Sequence, residues 1–154
     1  MKLKMLIALF LGVMSASASA SAVAGEGEIE FLFSEGIGKS QNGQIAAAAL
    51  IAVSPTQTLK IGNAEVRPLG GIKIGTIGAQ EVVGAEFQGL VRFNSNPSVV
   101  FVPSFSNTSR GVEAGFAVGT EVGQSTLVKF GMTKLEFETA GSNLIYQVSF
   151  LRPF

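Results

Sequence analysis

From Glu28 to the C-terminus the sequence alternates apolar and polar residues with a period of two. Extended strands produce that period because successive side chains point to opposite faces, whereas a helix would spread the same residues around its axis. Over Glu28 to Gly38, Ile29, Phe31, Phe33 and Ile37 share one face, while Glu28, Glu30, Ser34, Gly36 and Gly38 share the other. The pattern repeats over Gln44 to Ser54, Ala64 to Thr76, Val82 to Phe93, Ser98 to Ser106, Val112 to Glu121, Thr126 to Glu138 and Leu144 to Phe154. Ala46 to Ala49 favours helix by propensity, but the segment is too short between Asn42-Gly43 and Pro55 and reads as a strand. In Thr126 to Glu138 the apolar parity slips by one, so a β-bulge is expected near Thr133, bringing Leu135 and Phe137 back to the apolar face.

Eight strands result, separated by clusters rich in Gly, Asn, Ser and Pro such as Ser40-Gln-Asn-Gly43 and Asn94-Ser-Asn-Pro97. The connection near Thr76 to Gln80 has the weakest turn signal. Short links make neighbouring strands antiparallel, and the expected fold is an all-β, eight-stranded antiparallel up-and-down (meander) β-barrel.

The N-terminus is of a different kind. Lys2 and Lys4 precede an apolar run from Met5 to Met14, followed by small residues from Ser15 to Ala22 and an Ala22-Val23-Ala24 cleavage site. That is the arrangement of a secretory signal peptide, expected to occupy residues 1–24 and to leave one domain over 25–154. A ten-residue apolar run is too short for the ~20 residues of a spanning helix. The mature chain would carry nine Lys/Arg against eleven Glu, a net charge of about −2, which offers nothing for nucleic acid. There is no His, Cys, Trp or Asp. Without His and Cys, triads of the serine- or cysteine-protease kind and zinc sites have no ligands or bases to draw on. The composition therefore points to a non-catalytic protein without cofactor or metal.

Alternation shows that the two faces differ and leaves open which meets water. In a soluble exported β-barrel or sandwich the apolar face would be the core, with room for a small apolar ligand, in the periplasm or outside the cell. In a transmembrane β-barrel the apolar face meets lipid and the polar face lines the interior. Strands of about 9–13 residues exceed the usual soluble length of about 5–6 and suit an outer membrane. The polar face is rich in Gly, as a cramped barrel interior requires. On this reading Phe31, Phe33, Phe87, Phe93, Phe101, Phe105, Phe116, Phe130 and Phe150 face lipid. Glu30, Glu65, Arg67, Lys73, Glu86, Arg92, Glu113 and Lys129 project inward. Unpaired charge there is costly, so Glu is expected to pair with Arg or Lys and plug the barrel. A narrow pore lined by the same residues is the alternative.

A signal peptide, eight alternating strands and a last strand ending in Phe resemble the small OmpA/OmpX-type outer-membrane barrels of Gram-negative bacteria. The ending Leu144-Ile-Tyr-Gln-Val-Ser-Phe-Leu-Arg-Pro-Phe154 resembles their C-terminal assembly signal, carried here by Tyr146, Val148, Phe150 and Phe154. Arg152 departs from it, and the single Tyr makes a thin aromatic girdle. The resemblance implies export, dealings with the barrel-assembly machinery, outer-membrane lipid as the surroundings, and a monomeric protein of structural or interaction role. Comparable lipid-modifying barrel enzymes of that membrane use a His-containing site, and this chain has no His.

Other motifs are weak. Gly36-Ile-Gly38-Lys39-Ser40 resembles the tail of a phosphate-binding loop, but Phe33 stands where a Gly is needed. Asn107-Thr108-Ser109 matches a glycosylation sequon and reads better as a hairpin connection.

Overall fold

The structure is a computed structural model and describes residues 28–137 and 141–153, with side chains at 135–137 and 141–143 left aside. The expected signal peptide and Phe154 lie outside the described residues. The chain forms β1 (Ile29–Ser40), β2 (Ile45–Pro55), β3 (Leu59–Ile61), β4 (Ala64–Ile77), β5 (Gln80–Phe93), β6 (Asn96–Thr108), β7 (Gly111–Val122), β8 (Thr126–Phe137) and β9 (Gly141–Pro153). No helix occurs among the described residues. Each strand pairs antiparallel with its neighbours, β1 pairs with β9, and the sheet closes between β2 and β4.

The closed barrel thus has eight strands in meander order. β3 adds three residues alongside the start of β4, between the turn residues Pro55 to Thr58 and the strand expected from Ala64. Closure matters in lipid because an open edge would leave backbone donors and acceptors with no partner. The connections are short, and the weakly signalled turn is a two-residue one at Gly78-Ala79, with Gly78 at φ 59.

Two details differ from the sequence expectation. The ladders on both sides of β8 run unbroken through Thr133, pairing with Gly115 on one side and Ile145 on the other, so no residue is inserted there. The register shift falls instead between Arg92 and Phe93 of β5. The ladder also lapses where Gly89 and Leu90 approach Pro103, since proline has no N–H to donate.

Which face points outward is now fixed. Phe130 is 63% exposed, Ile37 62% and Phe31 59%, and Phe93, Phe105, Phe116 and Phe150 are exposed with them. Phe33, Phe87 and Phe101 are half-buried on the same outer face, and Phe101 packs edge-on against Phe93 at 5.6 Å between ring centres. An apolar ligand inside a soluble barrel required these rings turned inward; they are turned out.

The interior is layered rather than uniformly polar. A broad apolar layer joins Leu32, Leu50, Leu69, Val100, Val102 and Leu127 near the end where the chain begins and ends. A smaller cluster of Ala46, Ile77, Val82 and Ile145 lies toward the opposite, hairpin end. Charged and polar groups sit between and outside these layers.

Candidate functional site: the charged interior

The central layer is built by strand parity. Lys73 on β4, Glu86 on β5, Glu113 on β7 and Lys129 on β8 all lie on inward positions, and all four are buried. Lys73 Nζ stands 2.7 Å from Glu113 Oε2 and 3.4 Å from Glu86 Oε1. Glu86 also accepts hydrogen bonds of 2.9 Å from Ser106 Oγ and from Gln88 Nε2. Lys129 Nζ donates to Gln88 Oε1 at 3.1 Å, so Gln88 links the second ammonium to the carboxylate. Two positive and two negative groups balance, which is the condition for holding charge away from water at tolerable cost.

Small residues make the space. A Cβ on Gly71 would lie 1.9 Å from the Ile51 carbonyl oxygen, and one on Gly84 would lie 2.2 Å from that of Asn107. These positions bring β4 against β2 and β5 against β6 closely enough for the long side chains to meet across the lumen. Two small cavities remain beside the cluster, a mainly polar one of about 40 Å³ next to Gln88 and Lys129 and a more apolar one of about 20 Å³ next to Glu113 and Thr133.

A second charged group forms the mouth at the end bearing the chain termini. Arg67 is paired with Glu30, and its Nε donates to Ser54 Oγ at 2.8 Å and to the Pro55 carbonyl at 2.9 Å. Arg92 is paired with Glu121. Glu65 stands opposite Arg92 in the ladder and lines the same vestibule, a cavity of about 290 Å³ floored by Leu32, Leu90, Val100, Leu127 and Leu151.

The eight charged positions singled out in the sequence therefore all face inward, but they do not form one network. The apolar layer divides them into Lys73, Glu86, Glu113 and Lys129 in the centre and Glu30, Glu65, Arg67 and Arg92 at the mouth. Sequence reasoning missed Gln88 and Ser106 as linking groups and Glu121 as the partner of Arg92. Parity alone could have supplied all three, because each lies on the polar register of its strand. Tyr146, Val148 and Phe150 of β9 are on the outer face.

With this geometry the chain is similar to a solved structure described as that of the outer membrane enzyme PagL. The likeness has a TM-score of 0.60 at 8% identity and covers 80% of this chain and 99% of that one. No protein family matches the sequence, and no curated protein does. At so low an identity what is shared is the fold, that of an outer-membrane β-barrel. The likeness corrects one expectation: an enzyme is built on this architecture, so the composition does not make the chain non-catalytic. Lacking imidazole removes only mechanisms that need it, while carboxylates, amines and hydroxyls act as acids, bases and nucleophiles elsewhere.

Proposed function

We propose that the protein is an integral barrel of the outer membrane, of the small OmpA/OmpX type, whose interior is closed by the central ion-paired cluster and the apolar layers on either side. One observation carries the reading: the outer wall is a continuous apolar surface in which Ile37, Ile51, Ile72, Ile74, Phe116 and Phe130 are each between 48% and 63% exposed. Water would not tolerate such a surface on a soluble monomer, where apolar patches rarely exceed a few hundred Å². Lipid favours it, and the nine Phe residues named from the sequence would lie within it.

Expression of the full chain followed by membrane fractionation tests this directly. The expected result is protein in the outer-membrane fraction, with unheated samples migrating differently from boiled ones on an SDS gel. A soluble periplasmic product with no heat-dependent shift would refute the reading. Export, recognition of β9 by the assembly machinery through Tyr146, Val148, Phe150 and Phe154, and a monomeric state belong to the same proposal.

A second reading, a narrow gated pore, is favoured by the two small cavities flanking Lys73. Each is large enough for about one water, which needs roughly 10–15 Å³ of such space. Planar-bilayer recordings separate the two readings: steady openings of the unmodified protein would speak for the pore, silence for the plug.

A further inference from the structure

We propose that the outer wall carries a docking site for a membrane lipid with an anionic, phosphate-bearing headgroup, at the hairpin end of β8, β9 and β1. The inference rests on the membrane reading above. A depression of about 660 Å³ opens in the outer wall at this place, and its lining is overwhelmingly apolar. Its shape follows from side-chain size along one row of the ladder. Phe130, Val148 and Ile37 stand side by side, because Phe130 pairs with Val148 and Val148 with Ile37. The flanking pair project, at 63% and 62% exposed, while the smaller Val148 between them is half-buried and forms the floor.

The next row toward the hairpin end is Met132, Tyr146 and Lys39, again directly paired across the same three strands. The upper edge of the apolar depression is thus marked by a phenol and an ammonium. Lys39 is exposed and makes no hydrogen bond or ion pair among the described residues. Its side chain runs toward the turn: a Cβ placed on Gly43 would lie 3.9 Å from Lys39 Cε. That is the path of a lysine whose stem lies on an apolar wall and whose charge reaches the headgroup level.

Lys39 stands on β1 directly beside Tyr146 of β9 and is the cation that meets a phosphate at the edge of the trough. Below it the Phe130, Val148 and Ile37 row receives an acyl chain. Charge above and an apolar trough beneath match the order of groups in an anionic phospholipid, and the position on the wall puts lipid there in any bilayer.

Native mass spectrometry of the detergent-solubilised full barrel tests the site, using dioleoylphosphatidylglycerol and dioleoylphosphatidylcholine as probes. One phosphatidylglycerol should be retained in preference to phosphatidylcholine. Lys39→Gln should weaken that retention about fivefold, in line with the contribution of one basic residue near an anionic surface. Val148→Trp, which fills the trough and leaves the charge, should abolish the preference. Equal retention of both lipids, indifference to these substitutions, or a dimer in place of a lipid adduct would overturn the site. The heat-dependent gel shift of the same preparations keeps the two proposals apart. Protein that keeps its shift but shows no lipid preference disproves the site alone, whereas loss of the shift in the unmodified protein disproves the membrane reading and the site with it.

Discussion

Glu113 is 1% exposed, and the ammonium of Lys73, 2.7 Å away, is what makes its charge tolerable there. Removing one member of a buried pair leaves the other uncompensated, which costs about 3–5 kcal/mol. Lys73→Ala should therefore destabilise the folded barrel by about that amount in urea-unfolding measurements. Lys73→Met combined with Glu113→Leu should cost much less, because no charge is stranded. The glycines test the packing that brings these groups together. Gly71→Ala forces a methyl to within 1.9 Å of the Ile51 carbonyl oxygen and should cost about 1–3 kcal/mol in the same assay. Gly89→Ala is the matched control: its nearest contact is Pro103 Cγ at 3.7 Å, an ordinary van der Waals distance, so little change is expected.

At the scale of a strand, alternation assigns each residue to a medium. On β8, Phe130 and Met132 point outward while Leu127, Lys129 and Thr133 are buried inside. An outward Phe130→Arg would place a cation against the bilayer core, which costs about 2–4 kcal/mol near the midplane. Reversible unfolding in vesicles should show that loss. β8 also explains a misreading. Its apolar residues change parity near Thr133, and in a chain with one wet and one dry face that would demand a bulge. The ladders show none, because this barrel has apolar residues on both faces: Leu32, Leu50, Leu69 and Leu127 line the interior of strands whose outer faces are apolar as well.

For the whole molecule, closure and layering matter more than any single pair. An eight-stranded barrel is just wide enough for side chains to fill, and here they fill it in sequence from one end to the other. A charged vestibule gives way to the Leu-rich layer, then to the central ion pairs, and then to Ala46, Ile77, Val82 and Ile145. Two apolar layers in series resist ions more strongly than the ion pairs alone. In planar bilayers Lys73→Ala by itself should therefore give at most brief openings, whereas Leu69→Ser with Leu127→Ser should add steady conductance by wetting the apolar layer. Conductance unchanged by the Leu substitutions but opened by Lys73→Ala would assign the seal to the ion pairs.

The alternating sequence by itself determined the eight barrel strands, their antiparallel order and the separation of Phe from charge, because side-chain parity is a local property of an extended backbone. Parity also put the eight charged residues on one register, and it extends equally to Gln88, Ser106 and Glu121. Direction was not legible, since parity is unchanged when a sheet is turned inside out. Nor was the division of the charges into a central quartet and a mouth, because that depends on the stagger of strands around a closed barrel, which brings Lys73 to Glu113 across 40 positions of sequence. Only closure of β2 onto β4 fixed which face had room for rings and which had room for two lysines, two glutamates and little else.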